Sequence, residues 1–189
     1  MKVIGINGSP RLDGNTAIII GKVFEELNKE GIETELIQLA DYEIQPCRGC
    51  FACKGRGNCV FAKDGFAEIF SRMVEADGII FGSPVYSADV SAKMKAFLER
   101  GGVVVATNPG LLRHKVGASV AAVRRGGGMT TVDTMNHFML NKEMIVVGST
   151  YWNMVYGKNI GDVLNDDEGM ANMRNLGENM AWLIKKVFE

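Results

Sequence analysis

"KVIGINGSPRLDGNT", residues 2–16, opens with a short apolar run, breaks it with a glycine-rich turn, and leads into a helical pattern. In that pattern Ile19, Val23 and Leu27 share one face, Lys22, Glu25, Glu26 and Lys29 the opposite one, and Gly31 stops it. The same alternation recurs along the chain. Strand-like runs fall at 33–40, 78–86 ("GIIFGSPVY"), 115–123 ("KVGASVAAV") and 143–149 ("EMIVVGS"). Helical spacing appears at Phe66, Ile69, Phe70 and Met73, and again at Val90, Met94, Phe97 and Leu98, with a helix start at Ser87 or Asp89. It returns over about 130–141 and in a last helix from "NDDEG" (165–169) to Lys185 and Lys186, with Met173, Met180, Ile184 and Val187 inward. Acids at the start and lysines at the end of that helix suit its dipole. Residues 101–115, with the turn signal "TNPG", read as irregular.

Strands that are apolar throughout and alternate with helices indicate a parallel sheet covered on both faces. The expected fold is therefore α/β, a single flavodoxin-like domain spanning 1–189. It would have a doubly wound five-stranded parallel sheet and a cysteine-rich loop insertion, about 42–63, after the second strand. In such sheets ligands sit at the carboxyl ends of the strands, so the loops after strands 1, 3, 4 and 5 are the candidates.

Composition narrows the function class. With 21 basic and 22 acidic residues among 189, the chain carries no basic stripe that would track nucleic acid. No apolar stretch approaches the roughly 20 residues of a membrane span, and the N-terminus has no signal-like pattern. The expectation is a cytoplasmic chain with reduced thiols and no membrane partner.

The loop "GSPRLDGNT" (8–16) is neither a dinucleotide fingerprint nor a nucleotide P-loop, since it lacks G-x-G-x-x-G and Gly-Lys-Ser/Thr. Its hydroxyls at Ser9 and Thr16, Arg11, the amide of Asn15 and a free helix N-terminus can cradle a terminal monophosphate. The plain alternative is a β-α turn in which Asn15 or Thr16 caps the helix. After strand 3, Pro84-Val85-Tyr86 can present backbone and an aromatic ring to a flat heterocycle. After strand 4, "RRGGG" (124–128) lets backbone approach a ring, and Arg124 or Arg125 can stabilise negative charge at a flavin's N1–O2 edge.

All four cysteines lie in "CRGCFACKGRGNCVF", residues 47–61. A reducing compartment and an ample core disfavour a disulfide staple. Zinc prefers two C-x2-C knuckles with a long spacer between them, which three cysteines at successive x2 gaps fit poorly. Iron–sulfur clusters use such runs with a fourth cysteine further on, and Gly49, Gly55 and Gly57 permit tight turns and amide–sulfur hydrogen bonds. Zinc and redox-active or incidental thiols stay open. The lone histidines, His114 and His137, have no carboxylate or nucleophile pattern around them, and no acid–base dyad is visible. Tyr151 and Trp152 read as a pocket rim or an interface.

"GSPRLDGNT", "GSPVY…VSAKMKAFLER" and "RRGGG" resemble the NAD(P)H-dependent FMN reductase and flavodoxin-like superfamily. Cys47-x2-Cys50-x2-Cys53-x5-Cys59 is similar to the compact motif of its iron–sulfur flavoproteins. The resemblance implies FMN, with its phosphate at Ser9, Arg11, Asn15 and Thr16 and its ring at Pro84, Val85, Tyr86 and Ser87. Arg124, Gly126 and Gly127 complete the implied flavin site. It also implies a [4Fe–4S] cluster on Cys47, Cys50, Cys53 and Cys59, and a homodimer or homotetramer. The implied function is electron transfer from a low-potential, ferredoxin-like donor through the cluster to FMN and on to a small acceptor. Two alternatives remain: an NAD(P)H-dependent FMN or quinone reductase with structural or zinc-binding cysteines, and a zinc-stabilised binding module.

Overall fold

The computed structural model describes residues 1–61 and 63–188. Six strands form one sheet: β1 (Lys2–Asn7), β2 (Glu33–Gln38), β3 (Gly78–Pro84), β4 (Val116–Val123), β5 (Ile145–Val146) and β6 (Met154–Tyr156). Every pairing is parallel, in the order β2-β1-β3-β4-β5, with β6 also on β4. Four α-helices connect strands among the described residues, α1 (Asn15–Lys29), α2 (Phe66–Glu75), α3 (Ala92–Ala106) and α4 (Gly128–Leu140), and α5 (Asp167–Phe188) follows β6.

Alternation along each strand divides the core in two. Ile4 and Ile6 of β1 and Ile79 and Phe81 of β3 point toward α2, α3 and α4, where Phe66, Phe70, Phe97 and Met135 are fully buried. Val3, Ile80, Val116, Ala118 and Val120 point the other way, onto Ile19, Val23 and Leu27 of α1 and Met173, Met180 and Ile184 of α5. The sheet is thus doubly wound, as expected. From β1 the chain passes outward to β2 and then back across to β3, so the crevice beyond Asn7 and Pro84 is the topological switch point.

Several boundaries differ from the sequence expectation, each for a packing reason. Helix α3 begins at Ala92 behind the capping Ser91, whose Oγ accepts the Met94 N–H. Val90, buried, precedes it, and Ser87 and Asp89 belong to a hairpin. The same helix runs to Ala106 through Gly101 and Gly102, because Phe97, Gly101 and Val104 continue one face against Phe70 and Phe138. Propensity alone would stop it there; tertiary contact overrides it. The expected fifth strand pairs only through Ile145 and Val146, against Val116 and Gly117. Met154–Tyr156 takes the other end of β4, against Ala121–Val123. At the end of α5, Val187 is 37% exposed instead of inward. Residues 42–63 hold no helix or strand among those described, and among the described residues no helix is long and apolar enough to cross a membrane.

Candidate functional site

The loop after β1 is held by a buried hydrogen-bond network. Asn7 Nδ2 donates to Gln38 Oε1 at 2.7 Å, and Gln38 Nε2 donates to the carbonyls of Ser9 (3.0 Å) and Arg11 (3.2 Å). The Ser9 N–H donates to Asn7 Oδ1, the Arg11 N–H to Ser9 Oγ, and Ser91 Oγ to the Gly8 carbonyl at 2.6 Å. Replacing Gln38 with Ala is expected to strand these partners, at about 2–3 kcal/mol. The urea midpoint in a chemical denaturation experiment should fall accordingly.

Beyond this loop α1 starts with Gly14 as its cap, with no side-chain cap and no acid in the first turn. Its first turn carries no acid and borders the crevice through Gly14, Asn15 and Thr16. Neither Asn15 nor Thr16 caps it. Asn15 instead spans to the turn after β6: its Oδ1 accepts the Gly161 N–H and its Nδ2 donates to the Asn159 carbonyl, both at 2.8 Å. This places Lys158 at the same mouth. A cavity of about 200 Å³ is lined by Ser9, Arg11, Asn15, Thr16, Pro84, Val85, Tyr86 and Arg124, with Gly157 and Lys158. Three cations, Arg11, Arg124 and Lys158, border it. Lys158 carried no signal in the sequence, because the strand that delivers it is three residues long.

Ser87 lies outside that cavity, at the tip of a hairpin. Tyr86 and Asp89 exchange backbone hydrogen bonds at 2.8 and 3.0 Å, and Ser87 and Ala88 between them take φ of 49° and 62°. Two non-glycine residues in the left-handed region cost roughly 1–2 kcal/mol each, so the turn needs support. Thr130 Oγ1 donates to the Ala88 carbonyl, and Thr134 Oγ1 donates to Asp89 Oδ1 at 2.6 Å. Burial would raise the Asp89 pKa, but these hydrogen bonds from Thr134 and the Val90 N–H outweigh it, so the carboxylate is favoured. Gly126 and Gly127 border a second cavity, about 430 Å³, with Tyr151, Trp152, Met154 and Tyr156 on its far wall. Tyr151 and Trp152 thus line a pocket, one of the two roles, rim or interface, that the sequence left open for them.

The cysteines occupy another place. Cys47, Cys50, Cys53 and Cys59 border one narrow apolar cleft, with Phe51, Val60, Phe61 and residues of α3. Left-handed backbone at Gly49 (φ 63°), Phe51 (54°), Gly55 (70°) and Gly57 (69°) curls the segment around it. Gly49 also donates its N–H to Cys47 Sγ at 3.4 Å, Cys53 Sγ meets Thr107 Oγ1 at 3.3 Å, and Arg100 Nε donates to Cys59 Sγ at 3.1 Å. Asn108 ties the middle of the segment, accepting the Gly57 N–H and donating to the Cys53 carbonyl. All four thiols are free. Among the described residues no three His, Cys, Asp or Glu side chains converge on a point that would hold a single metal ion. The four thiols around this one cleft are the side chains that could hold a metal centre there. Arg100, Thr107 and Asn108 were not identified from sequence. Arg100 had a signal, since it lies three residues after Phe97 and four before Val104, on the apolar face.

Comparison with known proteins agrees with this architecture. Residues 1–159 match the family model of NADPH-dependent FMN reductase. An iron–sulfur flavoprotein of Methanocaldococcus jannaschii is 45% identical, covering 99% of both chains. Among solved structures, RosB bound to 8-demethyl-8-formylriboflavin-5′-phosphate superposes with a TM-score of 0.80 at 18% identity, over 98% of this chain and 79% of that one. A flavodoxin from the domain Archaea gives a TM-score of 0.65 at 18% identity, over 98% and 99%. The chain is a member of the NADPH-dependent FMN reductase family and, within it, of the iron–sulfur flavoproteins: an FMN-dependent oxidoreductase with a flavin electron-transfer function.

Proposed function

We propose that this protein carries electrons from a low-potential, ferredoxin-like donor to a small acceptor, using FMN in the switch-point crevice and a [4Fe–4S] cluster on Cys47, Cys50, Cys53 and Cys59. The observation that carries the reading is that all four cysteines border one cleft, with N–H donors aimed at the sulfurs of Cys47 and Cys59. When bound, the cluster moves one electron at a time and FMN one or two, which converts between single-electron and paired chemistry.

In this reading the N-terminus of α1, Ser9, Thr16 and the cations Arg11, Arg124 and Lys158 hold a phosphate dianion. Asn15 acts one step back, fixing the turn that carries Lys158. Pro84, Val85 and Tyr86 meet one side of the ring. Ser87 at the hairpin tip and Gly126 and Gly127 across from it shape the approach. The acceptor enters beside Tyr151, Trp152 and Tyr156. The chain acts as a single domain within a homodimer or homotetramer in the cytoplasm.

The donor side has its own support. Residues 44–63 contain no acid, while Arg48, Lys54, Arg56 and Lys63 are exposed there, in a chain of net charge −1. A local basic face beside the thiols favours an acidic carrier through complementary charge. Reduction by an acidic ferredoxin is expected to slow as salt rises. Reversing Lys54 and Arg56 to Glu should slow it about tenfold at low ionic strength. Stopped-flow rates that ignore both salt and the substitutions would remove this face as the docking surface.

A second reading, direct reduction of FMN by NAD(P)H with structural cysteines, is favoured by the family model's own description and by the roomy cavity next to Gly127. Iron, acid-labile sulfide and released flavin per chain, measured on anaerobically purified protein, separate the two. About four iron and four sulfide beside one FMN supports the cluster; FMN with zinc or no metal supports the NAD(P)H reductase.

A further inference from the structure

We propose that Arg100 is a positioning residue for the cluster, holding the first and last cysteine arms together and raising the cluster's reduction potential through its hydrogen bond and charge at Cys59. The inference rests on the cluster reading above. Arg100 is only 3% exposed, midway along α3. Its Nε donates to Cys59 Sγ at 3.1 Å, one terminal nitrogen to the Gln45 carbonyl (3.3 Å) and to Asp64 Oδ2 (2.6 Å), and the other to the Phe61 carbonyl (2.6 Å). Gln45 lies two residues before Cys47 and Phe61 two residues after Cys59, so one guanidinium clamps both ends of the cysteine segment. The rings of Phe66 (4.3 Å) and Phe61 (5.3 Å) flank it and exclude water.

This placement has an electrostatic consequence. Reduction adds one negative charge to the cluster, and a guanidinium keeps its positive charge at every accessible pH. A hydrogen bond to a ligand sulfur and a nearby cation both stabilise the reduced form, which raises the potential. Asp64, with a side chain 1% exposed, opposes that effect from the far side of the guanidinium. Arg100 and Asp64 therefore act with opposite sign on the same centre. A lysine would keep a charge but could not span Cys59, Gln45, Asp64 and Phe61 at once, because it lacks the planar fork.

The test uses anaerobically prepared full-length wild type, Arg100→Gln, Arg100→Lys and Asp64→Asn. Iron and sulfide per chain are measured together with the midpoint potential, from an EPR-monitored electrochemical titration. Arg100→Gln is expected to disfavour reduction about tenfold, equivalent to about 59 mV for one electron. Arg100→Lys should move it the same way by less, and Asp64→Asn the opposite way. Wild-type potential in an Arg100→Gln protein with full iron overturns the proposal, as do shifts of the same sign in Arg100→Gln and Asp64→Asn. If Arg100→Gln loses its cluster, Arg100→Lys decides: a lowered potential supports the role and an unchanged one overturns it. Cluster loss from both Arg100 variants but not from Asp64→Asn supports the clamp. Loss from all three with lowered thermal stability reduces Arg100 to a fold residue and overturns it. Wild type without iron sinks the underlying cluster reading instead, whatever the variants do.

Discussion

Cys53→Ser is expected to strip the protein of most of its iron and sulfide while leaving FMN bound. Cys53 is the buried one of the four, 6% exposed, with its sulfur against Thr107 and its carbonyl held by Asn108. Serine is nearly isosteric and can keep the Thr107 contact, so the segment should stay folded. Its alkoxide is a poor substitute for a thiolate at iron, and a cluster held on three thiolates is labile. The flavin should be spared because of where the two sites lie on α3. Ser91 caps the start of that helix and holds the Gly8 carbonyl, whereas Thr107 follows its last residue. At 1.5 Å per residue the two are roughly 24 Å apart along the axis. The variant should therefore retain flavin absorbance, lose the broad cluster absorbance, and take electrons from a ferredoxin-like donor at least ten times more slowly. An unchanged rate with iron absent would mean that electrons reach FMN by another route. That result would transfer the weight to the NAD(P)H reading.

How much of this was legible in the sequence follows from the range of each interaction. The β-α alternation and the parallel sheet were readable because buried strands are apolar over their whole length, and helices repeat at three to four residues. The switch-point loop was readable for a related reason: Ser9, Arg11 and Thr16 are close in sequence and fall in one cavity with Pro84, Val85 and Tyr86. Interactions between residues far apart were not. Gln38 reaches Ser9 and Arg11 across 29 and 27 positions, and a glutamine ending a strand has no local pattern to mark it. Asn15 looked like a phosphate ligand or a cap, and its partners at 159 and 161 lie beyond any window of periodicity. In the sequence Ser87 groups with Tyr86 by adjacency alone. A tight hairpin turns the two apart, and nothing in Ser-Ala signals a turn usually made with Asn-Gly. Arg100 was the readable miss, a charge in line with Phe97 and Val104 that only a buried acceptor set could explain.

Gly127→Ala should be strongly damaging, and Gly126→Ala, next to it, close to silent. Gly127 has φ of 83°, where any side chain costs roughly 1–2 kcal/mol. A Cβ there would lie 2.7 Å from the Ala88 Cα and 2.8 Å from Val85 Cγ1. The first of these is backbone of the hairpin, which cannot rotate out of the way as a long side chain would. Relief requires moving the 86–89 turn off α4, against the Thr130 and Thr134 hydrogen bonds that hold it. Strain and overpacking together come to about 3 kcal/mol, or roughly 6–12 °C in Tm for a chain of this size. At Gly126 a Cβ meets nothing within 4 Å, so alanine there should stay within about 0.5 kcal/mol of wild type. The flavin readout carries the functional half of the comparison. Val85 and Tyr86 are carried by the displaced hairpin, so FMN affinity in Gly127→Ala should drop at least tenfold, measured by flavin fluorescence on titration, while Gly126→Ala keeps it. A Gly127→Ala protein that melts early yet binds FMN normally would separate the hairpin from the ring. The isoalloxazine would then have to lie on the Arg124 and Lys158 side of the crevice.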